Sequence, residues 1–189
     1  ELRFDGPLSD PFKAIGIVNG SVFGDLDGDG DPDLAIAVEW GPVRVFRNDG
    51  GRFHDATREW GMESFTGLWT GVAAADFDGD GRLDLVVGNR GRNTLHELQP
   101  GAELALFHGE WSGDGSVQMM EAWKLGDDWF PVRDRTWLAR GLPDLQQRFP
   151  THAAFATAKV ADILGASGEK SGRLGASVLE SSVFLNRGG

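Results

Sequence analysis

Two nine-residue segments of the chain share one arrangement of carboxylates and glycines. They read Asp-Leu-Asp-Gly-Asp-Gly-Asp-Pro-Asp at residues 25–33 and Asp-Phe-Asp-Gly-Asp-Gly-Arg-Leu-Asp at residues 76–84. Both have carboxylates at positions 1, 3, 5 and 9 and glycine at positions 4 and 6, where glycine permits the positive φ of a tight loop. Carboxylates in so short a loop repel one another unless a cation lies among them. Hard oxygen ligands at this density are typical of Ca²⁺ sites.

The ligands of these predicted calcium sites follow from the spacing. We predict one Ca²⁺ in each segment, bound by side-chain oxygens of positions 1, 3, 5 and 9 and by the main-chain carbonyl of position 7. Because position 7 contributes only its carbonyl, an arginine there is compatible with a site. The predicted metal residues are Asp25, Asp27, Asp29, Asp31 and Asp33 in the first segment and Asp76, Asp78, Asp80, Arg82 and Asp84 in the second. The alternative is a pair of solvated turns without metal, and the repeated spacing favours the metal sites.

The segments differ from an EF-hand, which has a similar acidic start. An EF-hand needs a bidentate Glu at position 12 and a helix on each side. Position 12 is Ile36 in the first segment and Val87 in the second, and residues 34–38 and 85–87 are apolar and β-forming. The carboxylate at position 9 replaces the missing Glu. We therefore predict calcium loops within β-hairpins.

A seven-residue element outside the acidic segments also occurs twice. Together with the acidic segments, it makes the chain resemble a known repeat. Val-Phe-Arg-Asn-Asp-Gly-Gly at residues 45–51 returns as Val-Phe-Leu-Asn-Arg-Gly-Gly at residues 183–189. Strand, acidic loop and strand resemble the FG-GAP or FG-GAP-like (VCBS) repeat, the calcium-carrying blade unit of integrin α-subunit propellers. The fuller pattern, which includes residues 46–57 and 87–93, looks closer to bacterial extracellular proteins related to cartilage acidic protein. The resemblance covers about residues 21–93 and the C-terminal element, and neither repeat has the Gly-Ala-Pro tripeptide.

The fold that this resemblance implies is a β-propeller of four-stranded blades. The second loop begins 51 residues after the first, a spacing typical of one blade. We predict a mainly β chain, a partial propeller of about three blades forming a single domain over residues 1–189. Blade 1 spans about 15–60, blade 2 about 66–99 and blade 3 about 103–189, with a helical insertion at about 124–175. Since the chain opens without Met and stops inside a repeat element, we expect a segment of a longer protein whose remaining blades are its partners.

A third segment, Glu-Trp-Ser-Gly-Asp-Gly-Ser-Val-Gln at residues 110–118, aligns with the two loops position by position. Its ligands are degraded, because Glu110, Ser112 and Gln118 stand at positions 1, 3 and 9 and only Asp114 at position 5 is retained. Calcium affinity in such loops follows the ligand charge. We expect the turn to be kept and the calcium site to be lost, the alternative being a low-affinity site that includes water.

Helix signals replace the β pattern between residues 134 and 164. Asp134 and Thr151 can cap helices, and Gly165 can end one. The predicted helices cover residues 135–140, 144–149 and 152–164, followed by a loop at 166–171. The last predicted helix has an apolar stripe that consists of Ala156, Val160, Ile163 and Leu164. Such a stripe is expected to pack against another part of a protein. Either the segment covers a blade edge, which we favour, or it binds a partner.

The charge and composition exclude several functions. The net charge is −11 and no Lys/Arg cluster is present, which disfavours binding to nucleic acid or to an anionic membrane surface. No apolar stretch approaches the roughly 18 residues of a membrane span, so we predict no membrane insertion. Calcium loops of extracellular modules bind at roughly 10⁻⁴–10⁻³ M, which is saturable outside the cytosol. We therefore expect an extracellular, cell-surface or periplasmic location.

Catalysis has little support in the sequence. The four histidines are scattered and lie in no nucleophile or metal motif, and the seven dispersed tryptophans are expected mostly in the core. Glu110 and Asp114 could pose as glycosidase carboxylates, but descent from calcium ligands explains them better. We predict a non-enzymatic calcium-binding segment of an adhesion or ligand-binding protein, with a protein or carbohydrate ligand. The alternative is the propeller part of a secreted polysaccharide-active enzyme.

Overall fold

The computed structural model describes residues 9–92 and 103–188. The chain divides into two compact units, which we call unit 1 (1–94 with 176–189) and unit 2 (95–175). This division differs from the predicted single domain over 1–189, because each unit has a hydrophobic core of its own. The prediction of a mainly β chain is confirmed.

The described strands fall into two antiparallel sheets. Their bounds are β1 Ile17–Gly24, β2 Asp33–Pro42, β3 Arg44–Asp49, β4 Arg52–Asp55, β5 Thr66–Ala75, β6 Asp84–Asn89, β7 Leu104–Gly109, β8 Gln118–Leu125, β9 Asp128–Pro131, β10 Gly172–Ala176 and β11 Ser182–Phe184. The larger sheet has the order β11-β6-β5-β2-β3-β4, with β1 also paired to β2. The smaller sheet has the order β10-β7-β8-β9.

Strand β2 is the centre of unit 1 and is buried on both faces. Its alternate residues Ala35 and Ala37 belong to a core cluster that also contains Trp69. The other set of alternate residues, Leu34, Ile36 and Val38, packs in a second cluster with Phe46. A strand buried on both faces reads as a continuous apolar run, which explains why its sequence does not alternate.

The three acidic segments occupy the same place in three hairpins. In each hairpin the residue before position 1 pairs with the residue at position 9. These pairs are Gly24 with Asp33, Ala75 with Asp84 and Gly109 with Gln118. The prediction of loops within β-hairpins is therefore confirmed, also for the degraded third segment.

The C-terminal element belongs to the second repeat, which corrects the predicted third blade at 103–189. Val183 and Phe184 of β11 pair with Val86 and Leu85 of β6. Val45 and Phe46 of β3 pair with β2 in the matching register. Unit 2 thus lies, along the chain, between two paired strands of the second repeat. Sequence spacing did not reveal this, because the pairing joins strands that are far apart in the chain. Of the predicted second blade at 66–99, residues 93–99 lie outside the described residues.

The predicted helical insertion at 124–175 is also corrected, because strands occupy both of its ends. Strand β8 continues to Leu125, a turn with Gly126 at φ 62° follows, and β9 pairs back on β8. Strand β10 begins at Gly172. The helices are confined to the part between them, and they are α1 Arg135–Leu138, α2 Leu145–Arg148, α3 His152–Phe155 and α4 Val160–Leu164.

These helices are shorter than predicted, although two predicted caps are present. Asp134 accepts a hydrogen bond from the N–H of Trp137, and Thr151 accepts one from the N–H of Ala154. The single helix predicted over 152–164 is wrong, since α3 ends at Phe155 and α4 begins after Lys159. The predicted loop at 166–171 is mostly a 3₁₀ helix, Gly165–Lys170.

The helices pack on one face of β8 and form the core of unit 2. Met120 and Ala122 of β8 lie in one cluster with residues of all four helices. Of the predicted stripe, Val160, Ile163 and Leu164 are buried there, whereas Ala156 is exposed because the helix has ended before it. Within the described residues, no helix has the length and apolar character needed to cross a membrane.

Candidate metal centre

The carboxylates at position 9 organise the two calcium-type loops of unit 1. Asp33 and Asp84 are both 0% exposed. One oxygen of Asp33 accepts the N–H of Leu26 at 2.9 Å and the other accepts the N–H of Asn48 at 2.8 Å. Asp84 accepts the corresponding N–H groups of the second repeat at 2.9 and 2.8 Å, the latter from Asn186. Each carboxylate therefore fixes the loop against the strand end that carries the repeated Val-Phe-x-Asn element.

The carboxylates at position 1 close each loop from the other side. The two oxygens of Asp25 accept the N–H groups of Gly28 at 2.7 Å and Gly30 at 3.1 Å. Asp76 accepts the equivalent glycine N–H groups at 2.7 and 2.9 Å. The glycines have φ of 85° and 95° in the first loop, the positive values that their positions predicted. Because each oxygen has a second lone pair, a carboxylate that accepts one N–H keeps an acceptor site for a cation.

Three carboxylates of each loop converge on one point. In the first loop an oxygen from each of Asp25, Asp27 and Asp33 lies within 4.8 Å of the others. The same holds for the second loop, whose group is Asp76, Asp78 and Asp84. Oxygens on opposite sides of one Ca²⁺ are about 4.6–5.2 Å apart, since each Ca–O distance is about 2.3–2.6 Å. The separation and the all-oxygen donor set fit a calcium ion.

The predicted ligands at positions 5 and 7 are not part of these converging groups. The carboxylate of Asp29 accepts the N–H of Asp31 at 2.8 Å, and that of Asp80 accepts the N–H of Arg82 at 2.9 Å. The Asp31 carboxylate accepts the N–H of Gly50 at 2.9 Å and is not a member of the converging group. The structure thus gathers positions 1, 3 and 9 and places positions 5 and 7 on the loop around them.

Sequence reasoning missed the role of the asparagine in the repeated element. The side-chain amide of Asn186 donates to the carbonyl of Leu26 at 2.6 Å and to that of Leu83 at 3.2 Å. Asn186 therefore ties the first loop to the second, in addition to donating its own N–H to Asp84. The repeated Val-Phe-x-Asn element marked this asparagine in the sequence, but the element alone did not identify the strands that the asparagine contacts.

The environment shifts the pKa of carboxylates in both loops. Asp27 is exposed, but partial desolvation of its carboxylate within the loop raises its pKa, and the neighbouring carboxylates of the same loop add to the rise. The N–H groups of Asn186 and Phe77 stabilise the Asp84 carboxylate and lower its pKa. Repulsion among the carboxylates of the first loop is the electrostatic cost that a bound cation would remove.

The third loop has the same framework but a different interior. Gln118 accepts the N–H of Trp111 at 2.7 Å through Oε1. Its Nε2 donates to the hydroxyls of Ser112 and Ser116, both at 2.6 Å. Hydrogen bonds from Ser116 and Ser112 lower the pKa of Asp114 to about 2. A neutral amide therefore joins positions 3 and 7 of this loop.

The histidines and tryptophans considered in the sequence do not form a further metal-type cluster within the described residues. Within the described part of the chain, the acidic and histidine clusters suited to a metal are the two loops of unit 1, and His96 lies outside the described residues. Of the tryptophans, which were expected mostly in the core, Trp40 and Trp69 are buried. Trp60, Trp111 and Trp129 are partly buried against the core clusters. Trp129, for example, is half-buried, with the guanidinium of Arg173 5.4 Å from its ring centroid.

Comparison with protein families gives one result for this region. The family described as FG-GAP-like repeat matches residues 25–87, which include both acidic loops. The resemblance inferred from the loops is confirmed for this segment. No curated protein matches the chain.

Proposed function

We propose that the chain is a non-enzymatic, calcium-binding segment of an extracellular β-propeller that serves adhesion or ligand binding. The convergence of the carboxylates at positions 1, 3 and 9 in two separate repeats carries the proposal. The match to the FG-GAP-like repeat over the same residues supports it. Strands β1–β4, strands β5, β6 and β11, and strands β7–β10 would then be three blades, with the helices as an insertion between β9 and β10.

The positions of each loop would contribute to cation binding in different ways. The position-9 carboxylate is buried and fixed by two N–H groups, so it has little rotational freedom to lose on binding. The position-1 carboxylate is fixed in the same way by two glycine N–H groups. Position 3 completes the group, and position 5 and the carbonyl of position 7 would add further oxygens. A bound Ca²⁺ would supply positive charge that offsets the repulsion among these carboxylates.

This chemistry supports an extracytoplasmic location and a protein or carbohydrate ligand. Exposed calcium loops of extracellular modules bind at roughly 10⁻⁴–10⁻³ M, so these sites would be filled in an extracytoplasmic compartment. A propeller presents loops on a rigid frame, which suits binding of a protein or a carbohydrate. The net charge of −11 argues against nucleic acid.

A non-enzymatic role is supported by the state of the two carboxylates considered for glycoside hydrolysis. Glu110 accepts the N–H of Gly113 at 2.6 Å and so serves the turn. Asp114 has a pKa of about 2, far below the range that a general acid needs near neutral pH. Neither residue therefore has the environment of a catalytic acid.

Calcium titration of the whole chain tests the proposal. We expect a stoichiometry of two by isothermal titration calorimetry and a rise in melting temperature with calcium that EGTA reverses. A site at calcium tenfold above its Kd adds about 1.4 kcal/mol of stability. Asp27→Ala and Asp78→Ala should each remove one site, and both residues are exposed, so the variants should fold.

The matched control is Asp127→Ala, which removes an exposed carboxylate outside the loops. It should bind two ions as the wild type does. Absence of binding heat, together with a melting temperature that EGTA does not change, would contradict the proposal. Turnover of a glycan panel that disappears in Glu110→Gln would instead favour the polysaccharide-active alternative.

A further inference from the structure

The two calcium-type loops differ in charge at two equivalent places. Position 7 is Asp31 in the first loop and Arg82 in the second. The residue after the asparagine of the repeated element is Asp49 in the first repeat and Arg187 in the second. The register of β3 and β11 makes these positions equivalent, because both elements pair in the same way with the strand that follows the loop. The second loop therefore has two arginines where the first has two aspartates.

Both arginines contact the carboxylates of the second loop. Nη1 of Arg187 lies 2.6 Å from an oxygen of Asp78 and 3.8 Å from one of Asp80. The guanidinium of Arg82 also pairs with Asp80, and its Nε donates to the carbonyl of Asn186 at 2.9 Å. Asp78 is a member of the converging group, so Arg187 binds a carboxylate that a cation would need.

The first loop has no such internal cation. Among the described residues, no Lys or Arg forms an ion pair with Asp25, Asp27 or Asp29. Arg47 of β3 pairs with Asp49 at 3.0 Å. No ion pair of the kind that Arg187 makes with Asp78 therefore offsets the repulsion among the carboxylates of the first loop in the described part of the chain.

We propose that the two sites are unequal, and that Arg187 is a built-in competitor that calcium must displace from the second. This inference rests on the calcium binding proposed above and concerns the regulation of those sites. Both loops have carboxylates at positions 1, 3, 5 and 9, but Arg187 and Arg82 pair with Asp78 and Asp80 in the second loop, so the first site is the tighter one. Arg187 is 63% exposed and its ion pair lies at the surface, so it can leave Asp78 without breaking the fold. The second site then fills only at higher calcium, and Arg187 sets that threshold.

Calorimetric titration of the full chain with CaCl₂ tests the assignment of the two sites. We expect a tighter and a weaker class of site in the wild type. Asp27→Asn should remove the tighter class and Asp78→Asn the weaker, and both substitutions are at exposed positions that do not support the core. Loss of the tighter class in Asp78→Asn would overturn the proposal.

The substitution Arg187→Gln tests the competitor itself. Surface ion pairs are worth up to about 1 kcal/mol, so the affinity of the weaker class should rise by about two- to fivefold with the tighter class unchanged. The matched control is Arg92→Gln, which breaks an ion pair with Glu180 outside the loops and should change neither class. Two equal sites that do not respond to Arg187→Gln would overturn this inference and leave the proposed function intact. A chain that binds no calcium in any variant would overturn both.

Discussion

The first loop (25–33) and the third loop (110–118) have the same main-chain framework and different interiors. In both, the side chain at position 9 accepts the N–H of position 2, at 2.9 Å for Asp33 and 2.7 Å for Gln118. In both, position 1 accepts the N–H of position 4, at 2.7 Å for Asp25 and 2.6 Å for Glu110. The framework therefore needs acceptors at positions 1 and 9, and a charge at position 9 is not required.

The first and third loops differ in the group that interacts with the acceptor oxygens in their interiors. In the first loop three carboxylates converge within 4.8 Å, and we propose a cation among them. In the third loop the amide of Gln118 donates to the hydroxyls of positions 3 and 7 at 2.6 Å. The same hairpin turn can thus be closed by a cation or by a hydrogen-bond donor of the loop itself. In the third loop, Ser112 and Gln118 in place of aspartates account for the lower negative charge. The hydrogen bonds of the Gln118 amide account for the retained turn.

The largest expected difference between the two loops follows substitution of position 9 by alanine. Asp33→Ala removes a buried charged acceptor of two N–H groups, and one hydrogen bond to a charged group contributes about 1.5–3 kcal/mol. We expect the free energy of unfolding of unit 1 to fall by about 3 kcal/mol or more. Gln118→Ala removes a neutral, half-buried acceptor, so we expect unit 2 to lose only about 1 kcal/mol.

Urea unfolding followed by hydrogen exchange measures both effects, because exchange reports the two units separately. A control at position 8 of the third loop, Val117→Ala, removes an exposed side chain and should change stability little. Equal losses in Asp33→Ala and Gln118→Ala would show that charge at position 9 adds nothing to the framework.

The acidic loops could be predicted from the sequence because their information is local. Nine consecutive residues specify the acidic side chains, the turn and the hairpin, and the glycines at positions 4 and 6 have the expected positive φ. The N-caps Asp134 and Thr151 were predictable for the same reason. Each of these features depends on side chains that contact main-chain groups only a few residues away.

The pairing of β11, the break in the predicted helix and the role of Gln118 depend on contacts that cannot be read from the order of residues in the chain. Strand β11 is three residues long, and its residues pair with residues of β6 that lie 95 to 99 positions earlier in the chain, so proximity in the chain assigned it to the third blade. Phe155 and Val160 both pack in the core of unit 2. They are five residues apart and would not share one face of a continuous helix, so the helix predicted over 152–164 breaks between them. The amide bridge of Gln118 depends on side-chain geometry, since Gln at position 9 is equally compatible with a weak calcium ligand.

Restoring the lost carboxylates should convert the third loop into a calcium site. The double variant Ser112→Asp with Gln118→Asp supplies positions 3 and 9 and removes the amide that joins positions 3 and 7. We expect a calorimetric stoichiometry of three instead of two, and about 1.4 kcal/mol of added stability at calcium tenfold above Kd. Ser116→Asp is the control, because position 7 would bind only through its carbonyl. A wild-type stoichiometry of three at millimolar calcium would show that the third site was never lost.

The smallest expected effects are opposite responses of the two loops to pH in the absence of calcium. Partial desolvation and neighbouring carboxylates raise the pKa of Asp27 above 3.8, so its contribution to stability is favourable below about pH 3.8 and is lost as pH rises through the folded-state value. Hydrogen bonds from Ser116 and Ser112 lower the pKa of Asp114 to about 2. Its contribution is present above pH 3.8 and is lost as pH falls toward about 2.

Titration of the two carboxyl groups by NMR in EGTA checks these directions, with a midpoint above 3.8 for Asp27 and near 2 for Asp114. Added calcium sharpens the comparison, because a cation among the carboxylates of the first loop stabilises the charged form of Asp27 and lowers its pKa. Asp114 should keep its midpoint, since the donors that stabilise it are the hydroxyls of its own loop. If calcium moves both midpoints equally, the third loop binds the ion as the first does, and its amide bridge has not replaced the cation.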